Sequence, residues 1–480
     1  MTTAKYLSTL LVHEMEGIVG VGNVISDPFE IECATVDVWW ITRYLAEQPG
    51  DWLPKPEAIV FPASTAEVSR LVSFCSRALI PITPRGGGAN DSGGCLAVRG
   101  GIVVDTKRMD KVLQFNEKSM TVRVQPGILQ IHLEEWLNKR GATMNHFPAS
   151  INCSTIGGFV STNGTGVLSS KYGKMTDMIQ QLEVVLPNGS VFRSLPVNRH
   201  STGPDLTKLF VGAEGTLGLI TEILAKVHPL PESRIFRSFL MPDLEAGLEA
   251  GRQVMVNGCN PMIMRLYDVY DTEHILKKQF GLVGTGCFFM VGFDGPAKVA
   301  EAQLDAAMEL LKAAGGEDLG DEYALRWWDN RLKSYYPPLD YICEAWMTAV
   351  TDTVASYESI GDLYKAMKSA VEDEFAEYGA VFHAHFSHWY NWGNSFYPSF
   401  VVKEVPAEPE AALDLYHRMI DACGRVSIAH GGALNEHHGT GIRFGRMLAA
   451  AYGEESFSLL RSVKVAVDPR DLMNPGKLGL

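Results

Sequence analysis

Residues 83–94 read T-P-R-G-G-G-A-N-D-S-G-G, and the rest of the chain is organised around this stretch. A short apolar run, 79–82, leads into it, and five glycines then fall within nine residues. Glycine reaches positive φ without a Cβ clash, so a run of glycines lets successive backbone N–H groups point into one concavity that suits a diphosphate. A flexible surface loop without a ligand is the alternative. Two further glycine-rich stretches, 157–173 and 203–218, favour the ligand site.

Composition bounds the class of protein. The chain has 480 residues, which predicts two or three domains, and its 46% hydrophobic and 20% charged residues are typical of a soluble globular protein. A net charge of −14 argues against a nucleic-acid-binding surface. Eight scattered cysteines without a C-x-x-C pair indicate reduced thiols in a cytoplasmic protein. We find neither a signal peptide nor the roughly 18 uninterrupted apolar residues that a membrane span needs.

Local patterns predict an α+β fold. Ser64-x-x-Glu67 is a capping box at the start of a helix, and Pro187-Asn188-Gly189 between two apolar runs predicts a hairpin. From about residue 232 the pattern of predicted elements changes: strands alternate with helices, which predicts a layer of helices on one face of a sheet. The predicted helices cover 5–20, 129–140, 243–257, 296–314, 355–378 and 410–426, and the predicted strands cover 58–62, 101–105, 121–124, 235–240, 262–267 and 287–293.

Several motifs together resemble one known family. The stretches 84–94, 156–166, 171–178 and 203–221 resemble the FAD-binding domain of the vanillyl-alcohol oxidase/p-cresol methylhydroxylase superfamily. The C-terminal part is similar to the branch that contains alkyldihydroxyacetonephosphate synthase and its bacterial FAD-linked oxidase relatives. The motifs that carry this second likeness are M-R-L-Y-D (264–268), H-W-Y-N-W-G-N-S-F-Y (388–397), E-H-H-G-T-G (436–441) and D-P-R-D-L-M-N-P-G (468–476).

The resemblance implies a domain plan. It predicts an N-terminal helical segment at 1–50, a two-subdomain p-cresol-methylhydroxylase-type FAD-binding domain at 51–231, and an α+β cap or substrate domain with an antiparallel sheet at 232–430. Residues 431–480 would form a histidine loop and a helical tail that return to the FAD domain. Relatives are often dimers, so we expect a homodimer.

The resemblance also implies the cofactor site. It places FAD against Pro84, Arg85, Gly86, Gly87, Gly88, Ala89, Asn90, Pro148, Ser154, Thr155, Gly157, Gly158, Ser161, Thr162, Gly164, Gly166, Glu214, Gly215, Gly218 and Ile220. Helix capping or a turn is the alternative for each Ser or Thr alone. Many relatives attach the flavin to a His in or just after the first glycine loop, where this chain has Ala89, Asn90 and Asp91, so we expect non-covalent FAD. No G-x-G-x-x-G joins a clear strand to a helix, which argues against a Rossmann NAD site.

Six histidines group in predicted late loops: His383, His385, His388, His430, His437 and His438. Packed core histidines and a metal cluster are alternatives to a catalytic role. Related 2-hydroxy-acid dehydrogenases use a metal, but only His388 of their ligand pattern is present here, because Asn391, Ser395 and His437 replace the other groups. We therefore expect no metal.

The family pattern assigns the catalytic roles. Tyr397 is the predicted acid/base, with His437 and His438 flanking it, and Tyr390 and His388 are further candidates. A His with a pKa near neutral is a natural base, and a Tyr can donate or relay a proton.

Two arginines are predicted to bind substrate. Arg265 matches a substrate-facing Arg of the family, and a guanidinium can clamp a carboxylate or phosphate at two points. A structural salt bridge with Asp268 is the alternative for Arg265. Arg443 could bind an anion or lie on a solvated helix face.

These features predict an FAD-dependent dehydrogenase or oxidase. It would oxidise a hydroxyl-bearing small molecule, a 2-hydroxy acid or another anionic alcohol, by hydride transfer to flavin N5, with the electron acceptor left open between oxygen, a quinone and a protein. The alternative is a transferase similar to alkylglycerone-phosphate synthase, which uses FAD without net redox. Glu436 stands where that synthase has the first His of a His-His-His run, which favours the oxidoreductase. A flavin-binding module without catalysis is a third possibility, disfavoured by the density of His and Tyr.

Overall fold

The computed structural model describes residues 9–333 and 346–480. Its strands are β1 Val24–Ile25, β2 Ala58–Val60, β3 Ile82–Arg85, β4 Ile102–Asp105, β5 Val112–Asn116, β6 Thr121–Val124, β7 Ala142–Thr143, β8 Ile179–Val185, β9 Val191–Arg193, β10 Leu219–Lys226, β11 His228–Pro229, β12 Ser233–Met241, β13 Ile263–Tyr267, β14 Cys287–Gly295, β15 Glu317–Gly320, β16 Met347–Val350, β17 Thr353–Ser356, β18 Val381–Trp389 and β19 Gly393–Val402. Its α-helices are α1 Thr9–Val19, α2 Pro28–Ala34, α3 Trp40–Ala46, α4 Thr65–Ala78, α5 Gln130–Asn138, α6 Ile156–Thr162, α7 Ser169–Tyr172, α8 Met175–Met178, α9 Leu244–Val256, α10 Lys277–Phe280, α11 Ala297–Ala313, α12 Glu322–Asn330, α13 Ile360–Glu372, α14 Pro409–Ala429, α15 Leu448–Tyr452 and α16 Glu454–Val467.

Two small sheets precede residue 230. The first has the strand order β1-β2-β4-β3, in which β2, β4 and β3 are parallel, and β3 ends at the first glycine loop. The helix α4 covers this sheet, and Ser64 caps its N-terminus by accepting a hydrogen bond from the Glu67 N–H, as the capping box predicts. The second sheet is antiparallel, β5-β6-β10-β8-β9, and its β8–β9 pair is the predicted hairpin.

A large antiparallel sheet fills the second half of the chain, in the order β15-β12-β14-β13-β18-β19-β16, with β17 also paired to β19. Successive side chains of a strand point to opposite faces. In β13, Met264 and Leu266 join the hydrophobic core under α9, α11, α13 and α14, whereas Arg265 and Tyr267 point the other way. We call this second face the site face. It packs against Phe147, Ile151 and Leu168 from the first half of the chain.

The observed elements confirm the predicted α+β class, with two differences. The predicted helix 355–378 is wrong at its N-terminus, because Thr353–Ser356 is a strand hydrogen-bonded to β19 and the helix begins only at Ile360. The predicted helix 5–20 is described from Thr9 to Val19, and residues 5–8 lie outside the described residues. In the described parts of the chain no helix is both long and apolar enough to cross a bilayer.

The domain plan remains a proposal that these sheets support. Strands β1–β11 build the small sheets and β12–β19 the large one, so the chain passes from one group to the other near residue 231. The C-terminal tail returns to the first sheet, where the Ile82 N–H donates to the Leu472 carbonyl at 2.7 Å and the Asn474 N–H donates to the Ile82 carbonyl at 2.7 Å.

Candidate cofactor and active site

The glycine-rich stretches pack directly against one another. A Cβ at Gly86 would overlap the Thr155 hydroxyl, and a Cβ at Gly87 would overlap the Cys153 carbonyl. A Cβ at Gly215 would lie 2.8 Å from Pro84. Glycine is therefore required at these positions for close backbone approach, and the three stretches meet at one place.

The first glycine loop fits a diphosphate. The backbone N–H groups of Gly86, Gly87, Gly88 and Ala89 make no hydrogen bond to any described residue, although residues 85–91 are only half-exposed. Four successive donors without acceptors are costly to enclose unless an anion binds them. We propose that the FAD diphosphate is this anion.

Helix α6 provides the neighbouring wall. Gly158, Ser161 and Thr162 share one face of the helix by their i, i+3, i+4 spacing, and this face is half-exposed, whereas Phe159 and Val160 are buried. A Cβ at Gly158 would approach only the Thr155 hydroxyl, at 3.4 Å, so open space lies above it. We propose that this face contacts the cofactor.

Other predicted cofactor residues are buried beneath the first glycine loop and α6. Gly157, Gly166 and Gly218 are buried, and a Cβ on each would come within 2.6–2.7 Å of Pro126, the Phe147 backbone and Val184 respectively, so these glycines serve packing. Pro148, Ser154, Thr155, Gly164 and Ile220 are also enclosed by protein. Thr155 caps α6, which is the alternative that the sequence left open.

The side chain of Arg85 packs against the first glycine loop, where a Cβ on Gly88 would overlap its Nη2. Its guanidinium donates to the carbonyls of Ala34 at 2.9 Å and Val36 at 3.1 Å, and so anchors the N-terminal segment. Its positive charge therefore lies beside the loop that we propose binds the diphosphate.

Glu214 has a role that the sequence did not reveal. Its carboxylate accepts the backbone N–H groups of Thr440 at 2.5 Å and Gly441 at 2.9 Å. Burial raises the pKa of Glu214 to about 7. The third glycine-rich stretch thereby holds residues 436–441, which we call the histidine loop, against the other two glycine-rich stretches.

The site face carries a continuous line of side chains. His383 and His385 alternate with buried Phe382 and Ala384 along β18, so these two histidines point to the site face. The His385 ring stacks on Tyr397 with centroids 5.0 Å apart and packs against Tyr267 at 5.3 Å. The placement of His383, His385 and His388 in loops was therefore wrong, because all three lie on β18.

Tyr397 lies where this line reaches the histidine loop. Its ring centroid is 5.9 Å from that of His437 and 5.3 Å from that of His438. The structure therefore brings together three of the predicted catalytic residues. His430 is elsewhere: it ends α14, where its Nδ1 lies 2.9 Å from the Val426 carbonyl.

Arg265 stands at the other end of the line. Its Nε donates to the Tyr267 hydroxyl at 3.0 Å, and its guanidinium lies 4.7 Å from the Trp327 ring. The alternative salt bridge with Asp268 is wrong, because Asp268 instead accepts hydrogen bonds from Tyr364 and from the Ala384 N–H. Among the described residues Arg265 has no carboxylate partner, although the residue is buried, with 8% of its surface exposed. A buried cation without a counter-ion is suited to bind an anionic ligand.

Glu436 gathers several of the predicted groups. Its carboxylate accepts from the Tyr390 hydroxyl at 2.6 Å and pairs with Lys174 at 2.9 Å. Burial and then the charge of Glu436 raise the pKa of Tyr390 far above its ordinary value, so Tyr390 is a poor proton donor or acceptor at neutral pH. The prediction of Tyr390 as a second acid/base is therefore replaced by a structural role.

The Glu436 carboxylate also contacts His437 and His388. Burial tends to raise the pKa of Glu436, but Lys174 and His388 outweigh it and keep the pKa well below the ordinary value. An ionised carboxylate only accepts hydrogen bonds, so His437, whose Nδ1 lies 2.7 Å away, carries a proton on Nδ1 and presents Nε2 as the acceptor when the ring is neutral. His388 is buried, which lowers its pKa, and its Nδ1 is 3.3 Å from the same carboxylate.

His438 has a different environment. Its Nδ1 lies 3.3 Å from both Asp91 and Asp352. Burial alone would lower its pKa, but the two carboxylates raise it to about 9, so His438 is an imidazolium at neutral pH. His438 flanks Tyr397, and it places a positive charge beside the first glycine loop.

Arg443 is also committed to this network. It is 1% exposed, and its Nη1 pairs with Asp91 at 2.8 Å and donates to the Val350 carbonyl at 2.9 Å. Neither the solvated helix face nor the substrate-anion site predicted for Arg443 fits these contacts.

Asp352 is the central residue that the sequence did not indicate. It is fully buried, and one carboxylate oxygen accepts the backbone N–H groups of Glu436 at 2.8 Å, His437 at 2.5 Å and His438 at 3.1 Å. A single Asp between two short strands carries no recognisable motif, so only the fold reveals this contact.

Two groups of side chains have the spacing of metal ligands: Asp352 with His437 and His438, and His388 with Glu436 and His437. Arg443 lies 3.7 Å from Asp352, and Lys174 lies 2.9 Å from Glu436. Because each carboxylate already has a cationic partner, a further cation is disfavoured at both places.

Comparisons with known proteins agree with this geometry. Residues 56–194 match the family described as FAD binding domain, and residues 230–478 match the family described as FAD linked oxidases, C-terminal domain. The alkyldihydroxyacetonephosphate synthase of Dictyostelium discoideum is 30% identical over 453 residues, covering 88% of this chain and 73% of that protein. The glycolate oxidase subunit GlcD of Bacillus subtilis is 27% identical over 437 residues, covering 88% and 89%.

Solved structures show the same fold. An alkyldihydroxyacetonephosphate synthase superposes with a TM-score of 0.82 and 26% identity over 99% of this chain and 87% of that one. A p-cresol methylhydroxylase superposes with a TM-score of 0.76 and 16% identity over 98% and 96%, which is a likeness of fold alone. The resemblance predicted from the glycine-rich motifs is thus confirmed: the chain belongs to the FAD-linked oxidase family, whose members are enzymes, and its cofactor is FAD.

Proposed function

We propose that this enzyme oxidises a 2-hydroxy acid or another anionic alcohol with FAD. The observation that carries the proposal is the buried guanidinium of Arg265, which has no carboxylate partner among the described residues and is joined to Tyr397 through the rings of Tyr267 and His385. An anion held at Arg265 would bring an adjacent hydroxyl group towards Tyr397 and His437. The relative named as a glycolate oxidase subunit supports this substrate class.

The roles of the side chains follow from their surroundings. Arg265 binds the carboxylate of the substrate by charge-assisted hydrogen bonds. The hydroxyl proton passes to Nε2 of His437, directly or through the Tyr397 hydroxyl, because Glu436 holds the other nitrogen of His437. Bound FAD would supply the oxidising power for the reaction, as the acceptor of a hydride from the carbon that carries the hydroxyl. The His438 imidazolium supplies positive charge near the first glycine loop, where it stabilises negative charge that develops during the reaction.

Alkyl transfer without net redox is the second candidate. Its support is the likeness to alkyldihydroxyacetonephosphate synthases in both sequence and fold. Glu436 occupies a position that is His in that synthase motif. Its carboxylate oxygens already bind Lys174, Tyr390 and His437. This difference in the histidine loop favours oxidation.

The test is anaerobic mixing of the FAD-loaded enzyme with a panel of glycolate, D- and L-lactate and longer 2-hydroxy acids. We expect at least one acid to bleach the flavin absorbance, and an unbleached flavin across the panel would favour alkyl transfer. Arg265→Met should raise the KM for the reactive acid about 10-fold to 100-fold, as expected for a lost charge-assisted contact. Arg252→Met, on the exposed side of α9, removes the same charge and should leave KM unchanged.

A further inference from the structure

A second cluster of positive charge lies farther along the site face from Arg265, because Arg234 is opposite Asp294 of β14 whereas Arg265 is opposite Met290. Helix α12 packs on the edge of the site face, and its Trp327 ring contacts the Arg265 guanidinium. The next residue, Trp328, contacts two other arginines: its ring centroid is 3.6 Å from the Arg331 guanidinium and 5.3 Å from that of Arg234. Two guanidinium groups therefore share one aromatic surface.

This cluster has more positive than negative charge. Arg234 faces Asp294 Oδ2 at 3.6 Å, while Oδ1 of the same carboxylate pairs with Lys171 at 2.7 Å and accepts from the Tyr172 hydroxyl at 2.8 Å. Arg331 has no carboxylate within ion-pair distance in residues 9–333 and 346–480. Lys171 and Arg234 thus share Asp294, and Arg331 pairs with no described carboxylate, which leaves the two guanidinium groups suited to bind a further anion.

Both arginines also have unused hydrogen-bond donors. Arg331 donates one Nη to the Trp328 carbonyl at 2.5 Å, and Arg234 donates one Nη to the Asn145 side chain at 3.2 Å. The Nε of each is buried without a hydrogen-bond partner among the described residues. Guanidinium groups stacked on an aromatic ring are held in a fixed plane, which suits two-point recognition of phosphate or carboxylate oxygens.

The arginine cluster lies next to the second glycine-rich stretch, through Phe147. Phe147 lies between Arg234, at 6.0 Å, and Arg331, at 5.8 Å, and a Cβ on Gly166 of the second glycine stretch would touch the Phe147 backbone. Phe147 and Tyr267 also belong to the same hydrophobic cluster on the site face. The two arginines therefore flank the same face that carries Arg265.

We propose that Arg234 and Arg331 form a second oxyanion subsite, which binds a terminal phosphate or carboxylate of a substrate whose first anionic group lies at Arg265. This inference rests on the proposed function for the identity of the substrate. It narrows the substrate class to hydroxy compounds with two anionic groups. Binding of the terminal group does not depend on oxidation of the substrate, so it can be measured without the reaction.

The test measures binding of inorganic phosphate and of acetate to the FAD-loaded enzyme by isothermal titration calorimetry. Arg331→Met keeps the aliphatic contact with Trp328 and should weaken binding of one of these probes about tenfold or more, which identifies the terminal group. Arg331→Lys should restore part of the affinity. Lys333→Met is the matched control, because Lys333 is exposed and contacts only the Asn330 side chain among the described residues, and it should change affinity less than about twofold.

Three outcomes overturn the subsite: neither probe binds, binding is independent of Arg331, or the control weakens binding as much as Arg331→Met does. Unchanged melting temperatures would show that the variants are folded. If a probe binds through Arg331 but no hydroxy acid bleaches the flavin, the subsite stands and the proposed oxidation fails. If hydroxy acids bleach the flavin and neither probe needs Arg331, the oxidation stands and the subsite fails.

Discussion

Replacing Asp352 by Asn should destabilise the protein in a pH-dependent manner. The side chain is fully buried, and its carboxylate accepts three successive N–H groups of the histidine loop while facing the His438 imidazolium at 3.3 Å. Asn keeps the shape and one acceptor oxygen but removes the negative charge. His438 and Arg443 would then share only Asp91 as a counter-ion.

The magnitude follows from these contacts. Breaking a buried ion pair by removing one partner costs about 3–5 kcal/mol. If the proposed cap domain, which has the size of a unit of about 150–250 residues, unfolds by itself, its melting temperature should fall by about 6–20 °C. Asp362→Asn, which removes the same charge on the exposed side of α13, should change the melting temperature by no more than about 1–2 °C.

The pH dependence provides the sharper test. The pKa of His438 is raised from 6.5 to about 9 in the folded state, so its charged form contributes about 3 kcal/mol, fully present below pH 6.5 and lost as the pH rises through 9. The Asp352→Asn variant keeps only Asp91 of the two carboxylates that stabilise the charged form of His438. The difference in melting temperature between wild type and variant should therefore be largest below pH 6.5 and narrow towards pH 9 and above. Thermal unfolding measured from pH 5.5 to 9.5 checks this, and a difference that stays constant with pH would refute the assignment of charge to His438.

Three further predictions concern the cofactor and the reaction. Tyr397→Phe should slow reduction of the flavin about 10²-fold to 10⁴-fold in stopped-flow measurements while leaving FAD affinity unchanged, and an unchanged rate would remove Tyr397 from the mechanism. Acid or detergent precipitation should release all yellow colour to the supernatant, because no His stands in the first glycine loop, and a yellow pellet would contradict non-covalent binding. Gly87→Ala should weaken FAD binding at least about tenfold in fluorescence titrations, since the new Cβ overlaps the Cys153 carbonyl. The control is Gly17→Ala in α1, where a Cβ would meet no atom within 4 Å.

Much of the cofactor site could be predicted because its signals are local. Backbone donors that line an anion site need several glycines within a few residues, and such a run is visible in any sequence that contains it. The sequence did not distinguish the glycines that leave room for a ligand from those that leave room for protein. Gly86 and Gly157 occur in equally glycine-rich stretches, yet the N–H of Gly157 is already bonded to the Pro126 carbonyl, whereas that of Gly86 has no partner among the described residues.

The carboxylates that organise the active site were missed because their partners are remote in sequence. Asp352 accepts hydrogen bonds from residues 84 to 86 positions away, and Glu214 from residues 226 and 227 positions away. Neither spacing produces a motif or a periodicity. The predicted helix over 355–378 failed for a related reason: β17 is defined by its pairing with β19, about forty residues later, and pairing of this kind outweighs local propensity.

His437 and His438 show how the fold separates the roles of two identical neighbours. The sequence predicted both as catalytic candidates that flank the acid/base Tyr397, without a difference between them. In the structure one carboxylate, Glu436, fixes the tautomer of His437 and leaves Nε2 as an acceptor, whereas Asp91 and Asp352 hold His438 as a cation. One position in the loop can therefore take a proton while the next keeps one. This division requires Glu436 of the loop itself at His437, and Asp91 and Asp352 from two distant parts of the chain at His438.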